Sequence, residues 1–270
     1  MADDRSILRG KPLRRLQRAI NQRRFHHPYR CLLVVGQPKS GTTWLTRLLC
    51  EVPGYLRWTP SSIKIDSHHF RPGDLSPPPA GYTVVKCHAP PTDDNVRLIH
   101  ESKHPYVLSI RDPRDLAVSW SYYVGLPGRD KWANPEAVSL EIPERLDYYI
   151  ERVLPRMMDW ARGWTARMNP AQGIMVRYED MLADARGCMA SVYAHCGLTL
   201  SDDWITAAVE RNSFRKATGR EPGQGDAAAF NRKGIAGDWR NHFTDAQKQA
   251  FKGVAGAGLV EMGYEQGTDW

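Results

Sequence analysis

Apolar and polar positions along this chain follow two rhythms. Short, mostly apolar runs rich in β-branched residues stand at 31–35, 82–90, 105–111 and 173–178, and predict strands buried in a parallel sheet. Between them apolar residues recur at helical spacing, over 43–49 (Trp44, Leu45, Leu48, Leu49), 116–123 and 150–168 (Val153, Met157, Trp160, Trp164). The Trp/Met stripe of 150–168 reads as core packing. Helices are also predicted over 182–196, over 201–211 with a capped start at Ser201, and over 245–254. Residues 55–82 and 124–145 are dense in Pro and Gly and read as long loops, with the Gly-rich 218–230 as a third. Strand and helix alternating in this way predict α/β architecture: a single domain over 31–270 with a central parallel β-sheet flanked by helices. Ahead of it, 1–30 reads as a basic N-terminal extension with a helix over 5–24, packed on the domain surface rather than committed to an acidic partner.

Composition narrows the function classes. The chain has 270 residues, 41% hydrophobic and 25% charged, enough apolar content for a sizeable core. Its net charge is +7, and nine Arg/Lys lie in residues 1–30 against Asp3 and Asp4. With no zinc-finger spacing and no RNA-binding aromatic box, that surplus reads as a solvated basic surface or a site for a polyanionic small molecule, not as a dedicated nucleic-acid module. Five cysteines without a C-x-x-C pair predict reduced thiols and a cytoplasmic setting. No run is long enough for an integral membrane segment, and the arginine-rich start lacks the apolar core of a secretory signal. His68-His69 lacks a carboxylate or thiol at ligand spacing, so no metal site is expected.

The chemistry concentrates at strand ends. Gly36-Gln37-Pro38-Lys39-Ser40-Gly41-Thr42 joins the first strand to the first helix of the domain. Unpaired N–H groups at a helix start, reinforced by the helix dipole, form an anion cradle. A Walker A loop would carry its lysine directly after the second glycine. Here Thr42 holds that place and the cation is Lys39, which argues against ATP or GTP hydrolysis. His88 ends the second strand beside Lys86, where ligands of a parallel sheet gather, and is the best general-base candidate of nine histidines. Arg111 ends the third strand before Asp112-Pro113-Arg114-Asp115, where Asp115 reads as an N-cap and Pro113 as a turn starter. Arg232-Lys233-Gly234 sets two cations beside a glycine that lets backbone approach an anion.

These motifs resemble, in order and over residues 31–244, those of the cytosolic-type sulfotransferases, which use 3′-phosphoadenosine 5′-phosphosulfate (PAPS) and release adenosine 3′,5′-bisphosphate (PAP). Pro38-Lys39-Ser40-Gly41-Thr42-Thr43-Trp44 is similar to the family's 5′-phosphosulfate loop, Arg111 to Ser119 to its 3′-phosphate motif, and Arg232 to Thr244 to its closing signature. The resemblance implies a P-loop-like phosphosulfate-binding loop, no metal, and a catalytic set of His88, Lys39, Lys86 and Ser119. His88 would be the base and Lys39 the cation at the bridging oxygen. Lys86 would hold the sulfuryl oxygens. Ser40, Gly41, Thr42 and Thr43 would bind the 5′-phosphate; Arg111, Ser119, Arg232, Lys233 and Gly234 the 3′-phosphate; and Trp44, Tyr178, Ser213 and Phe214 would surround the adenine. The methionine that commonly follows the Ser-Phe step is absent, with Ala217 nearby. Of the family's dimer motif, which would fall on Arg240, Thr244, Asp245 and Gln249, only the threonine is kept, so that dimer is not expected.

The acceptor is expected to be a small aromatic or aliphatic alcohol (or amine), from aromatics in the long loops: Trp58, Phe70, Tyr122, Tyr123 and Trp132. Two rivals stand beside this reading. A small-molecule P-loop kinase would require Mg²⁺·ATP, and a non-catalytic binder of nucleic acid or anionic membrane would rest on net charge and the basic N-terminal arm.

Overall fold

A computed structural model describes residues 11–60, 63, 68–75, 81–127 and 135–270. Five parallel strands, β1 (Cys31–Gly36), β2 (Tyr55–Trp58), β3 (Tyr82–Cys87), β4 (Tyr106–Ile110) and β5 (Gly173–Arg177), form one sheet in the order β2-β3-β1-β4-β5. The α-helices delimited among the described residues, in chain order, are α1 (Lys11–Arg24), α2 (Thr42–Glu51), α3 (Asp93–Glu101), α4 (Pro113–Val124), α5 (Pro135–Ser139), α6 (Ile142–Tyr148), α7 (Leu154–Arg167), α8 (Tyr178–Ala183), α9 (Ala185–His195), α10 (Asp202–Arg211), α11 (Phe214–Thr218) and α12 (Asp245–Glu261).

The sheet is covered on both faces, because each apolar run sends alternate side chains to opposite sides. Leu33, Val35, Val85 and Leu108 pack with Met158, Trp160 and Trp164 of α7 and with Phe251 and Leu259 of α12. Leu32, Val34, Val84 and Val107 pack with Leu45, Leu48 and Leu49 of α2 and with residues of α9 and α10. β1 lies in the middle, and the chain leaves it toward β2 and β3 on one side and β4 and β5 on the other. That switch point opens a crevice at the carboxyl ends, where α/β proteins bind ligands.

Several expectations need revision. The stretch 55–82 contains β2, a four-residue edge strand too short to announce itself by pattern. The polar 124–145 contains α5 and the start of α6, whose capping box pairs Glu141 with Glu144. The helix expected over 182–196 is two, broken at Asp184, whose side chain caps α9 through the Gly187 N–H at 2.8 Å. The last helix runs on to Glu261. Asp112, not Asp115, caps α4: it accepts the Arg114 N–H at 2.9 Å, with Pro113 at the first helical position. α1 lies at the opposite end of the sheet from the crevice, where Asn21 donates to the Gly54 carbonyl (3.1 Å) and Gln22 accepts the Gly81 N–H (3.3 Å).

Candidate active site

The loop after β1 turns sharply enough to leave Lys39 at φ 73°, a left-handed conformation uncommon for a side chain of this size. Gly41 follows at φ 90°, and a Cβ there would lie 2.8 Å from the Tyr178 ring. The turn delivers the free N–H groups of α2 to the crevice. Ser40 makes the turn rigid. Its buried hydroxyl donates to the Gln37 carbonyl (2.7 Å), and the Ser109 hydroxyl donates to the Ser40 carbonyl (2.7 Å). The Lys39 ammonium donates to the Phe230 carbonyl (3.1 Å) and lies over the rings of Phe230 and Tyr123.

A cavity of about 600 Å³ opens above this loop. Of the residues expected at the site, Lys39, Gly41, Thr42, Thr43, Trp44, Lys86, His88, Arg111, Ser119, Tyr178, Phe214, Arg232, Lys233 and Gly234 all line it. Ser40 and Ser213 do not. Ser40 is turned into the loop as described, and Ser213 caps α11 by accepting the Lys216 N–H (3.3 Å). Both serines shape the wall from behind.

His88 has its Nδ1 2.6 Å from the Gly36 carbonyl. A carbonyl only accepts, so Nδ1 carries the proton and Nε2 keeps its lone pair. Burial, with the neighbouring Lys86 charge, pulls the His88 pKa down to about 4, so the ring is neutral at physiological pH. Burial, helped by the Arg57 charge, lowers Lys86 to about 8, and its ammonium donates to the Thr43 hydroxyl (3.3 Å). The indole N–H groups of Trp160 and Trp164 both donate to the Ala89 carbonyl, at 3.0 and 2.9 Å. The core stripe therefore also fixes the backbone beside His88.

On the β4 side, two buried carboxylates that sequence reading gave no site role organise the cations. Asp115 lies 3.7 Å from Arg111 and accepts the N–H groups of Gly237 (2.7 Å) and Trp239 (3.0 Å). Asp238 pairs with Arg232 and with Lys233 (2.7 Å), and accepts from Asn241 (3.0 Å). Burial opposes ionisation of Asp238, but these hydrogen bonds outweigh it and hold its carboxyl well below the usual range. Both aspartates sit inside motifs that were recognised; the Asp238 partners lie within its own segment, and only the distant partners of Asp115 were invisible. The Arg111 guanidinium stacks 4.3 Å from the Tyr178 ring centroid, and Gly234, at φ 67°, lets Phe214 pack against its backbone. The Nε atoms of Arg111 and Arg232 and the Trp44 indole nitrogen are buried without a hydrogen-bond partner among the described residues.

The acceptor side differs from expectation. Trp58 and Phe70 pack into the core and Tyr122 lies under Arg232, so none of the three lines the cavity; Tyr123 does. Trp132 falls outside the described residues. The apolar lining comes instead from Ile63, Leu116, Trp120, Tyr149, Val153 and Met157. No periodic signal separates such positions from core. Among the described residues no group of three His, Cys, Asp or Glu could hold a metal ion, and no helix is long and apolar enough to cross a membrane.

The family model of the sulfotransferase domain matches residues 30–263. The chain belongs to the sulfotransferase domain family. Sulfotransferase 2A6 of Mus musculus is 28% identical to this sulfotransferase over 248 residues, covering 83% of this chain and 82% of the relative. The crystal structure of mouse sulfotransferase SULT7A1 complexed with PAP aligns with a TM-score of 0.67 at 20% identity, covering 90% of this chain and 88% of that one. A retinol dehydratase in complex with retinol and PAP aligns with a TM-score of 0.63 at 20% identity, over 92% and 86% of the two chains. The parallel five-stranded sheet flanked by helices is thus the fold of sulfotransferases, and this protein is an enzyme of that class.

Proposed function

We propose that the protein transfers the sulfuryl group of PAPS to the hydroxyl (or amine) of a small acceptor with an apolar body, releasing PAP. The observation that carries this reading is the convergence of five cations, Lys39, Lys86, Arg111, Arg232 and Lys233, on one cavity that opens beside a neutral histidine. Their layout fits a ligand with phosphate at two places. Arg111 and Arg232 each keep a buried Nε that no described residue satisfies, and the cradle at the α2 N-terminus lies between them and His88. An adenine between Trp44, Tyr178 and Phe214 would give the orphan Trp44 N–H a place to donate. PAPS supplies an activated sulfuryl group on a phosphate leaving group.

The rest falls to the chain's residues. His88 Nε2 accepts the acceptor's proton while the Gly36 carbonyl holds the ring through Nδ1–H. Lys39 answers the charge that develops on the leaving oxygen, which requires it to exchange the Phe230 carbonyl for that contact. Lys86, between Thr43 and His88, holds the sulfuryl oxygens. Thr42, Thr43 and the Gly41 turn bind the 5′-phosphate, and Arg111, Ser119, Arg232 and Lys233 the 3′-phosphate. The acceptor body lies on Trp120, Tyr149 and Met157. Five unbridged cysteines suit a cytoplasmic enzyme.

Calorimetric titration with PAP, against ADP as control and without added metal, tests the donor. Tight PAP and weak ADP binding are expected. Preference for ADP, or dependence on Mg²⁺, would overturn the reading in favour of a small-molecule kinase.

A further inference from the structure

We propose that the acceptor carries, besides its hydroxyl and apolar body, an anionic group held by Arg57 at the mouth of the cavity. This rests on the sulfuryl-transfer reading above and adds a charge to the acceptor. It comes from the order of groups along the carboxyl edge of the sheet. Tyr178 follows β5, Arg111 follows β4, the phosphate loop follows β1, Lys86 and His88 stand at the end of β3, and Arg57 lies on the edge strand β2. Neighbouring strands are ~4.8 Å apart, so the row is a line of successive positions. Adenine, 3′-phosphate, 5′-phosphate and sulfuryl group occupy β5, β4, β1 and β3 in turn, and no anionic part of the donor is left for β2. Transfer in line brings the attacking oxygen to sulfur opposite the leaving one. A cation one strand beyond Lys86 and His88 therefore faces the incoming acceptor.

Strand register puts Arg57 on the right side. It pairs with Val84, two residues from Lys86, so both cations project from the face that α2 covers. Arg47 of α2 lines the same cavity. The other cations there are engaged: Arg111 with Asp115, Arg232 and Lys233 with Asp238, Lys86 with Thr43, and Lys39 with the Phe230 carbonyl. Arg47 and Arg57 are exposed, and no described residue forms an ion pair with either. The Arg57 charge already reaches the transfer centre, where it helps to lower Lys86 and His88. An anion bound at Arg57 would relieve that repulsion.

The test titrates the protein·PAP complex with 6-hydroxy-2-naphthoate and with 2-naphthol, which share ring and hydroxyl and differ in one carboxylate. The naphthoate should bind about 10-fold more tightly, the scale of a charge-assisted hydrogen bond, and the preference should shrink with added salt. Arg57→Gln should remove most of the preference through loss of naphthoate affinity, and Arg57→Lys should retain part of it. Equal affinities in the unmodified protein, binding of neither compound, or a preference that survives Arg57→Gln would overturn the proposal. Weakened PAP binding in both variants would assign Arg57 to the donor and overturn it too. Failure of the unmodified protein to bind PAP is the separate result that brings down the sulfuryl-transfer reading itself.

Discussion

At the residue scale, the decisive contact is the one between His88 and the Gly36 carbonyl, because it settles which ring nitrogen is free. His88→Ala should lower kcat by about 10²–10⁴-fold, the worth of a general base, while PAP affinity measured by calorimetry stays near that of the unmodified enzyme. A variant with full turnover would dismiss His88. The two shifted groups also set a pH profile. His88 must be neutral to accept a proton, so kcat/KM falls as pH drops through about 4. Lys86 must be charged to hold sulfuryl oxygens, so kcat/KM falls again as pH rises through about 8. Lys86→Met should abolish the alkaline limb and, because the Lys86 charge helps to lower His88, move the acid limb to higher pH. The histidine and both lysines were legible as single residues at strand ends. The direction of the Ser40 hydroxyl was not legible, since a hydroxyl in a phosphate loop looks the same in sequence whether it faces the ligand or, as here, Gln37 and Ser109.

At the scale of elements, the site depends on joints between segments far apart in the chain. Asp115 ties α4 to the segment carrying Arg232 and Lys233 through two backbone N–H groups and the Arg111 guanidinium. Asp115→Ala leaves the two N–H groups without their acceptor and removes the carboxylate paired with Arg111, which keeps its bonds to the Lys39 and Ile235 carbonyls, at a cost of roughly 3–5 kcal/mol. Urea unfolding should show that loss, and titration of the folded variant should show weakened PAP binding as Arg111 and the closing segment separate. The Gly41 turn is a second joint. Gly41→Ala imposes a left-handed conformation costing about 1–2 kcal/mol and drives a methyl group against Tyr178. Lower stability together with weaker PAP binding is expected; an unchanged PAP affinity would show that the turn does not set the adenine wall. Motif spacing exposed both segments but not the carboxylate joining them, because nothing in Arg-Asp-Pro-Arg-Asp tells a helix cap from a bridge to residue 237. The cap went to Asp112, forced by the proline after it.

At the scale of the whole molecule, adenosine bisphosphate would span β5, β4 and β1 and so bind groups from most of the sheet. PAP should therefore raise the thermal midpoint of the entire domain. At 100 times its dissociation constant the gain is about 2.7 kcal/mol, read in melting curves across PAP concentration with ADP as control. Arg111→Ala should lose most of that gain. Sequence by itself determined the sheet's central strands, the loop that follows β1, and the cations at each strand end, because buried parallel strands and anion-binding turns need particular residues at consecutive positions. It also determined the family, since the three motifs and His88 keep their order over most of the chain. Only the tertiary structure decided that β2 is an edge strand carrying Arg57 beside Lys86, that Trp58 and Phe70 are core while Trp120, Tyr149 and Met157 are wall, and that Asp115 joins α4 to the backbone of Gly237 and Trp239. These depend on contacts between positions far apart in the chain, 122 residues in the case of Asp115 and Gly237. Local pattern fixes which way a side chain alternates along its own element, but only packing of one element on another fixes what it meets.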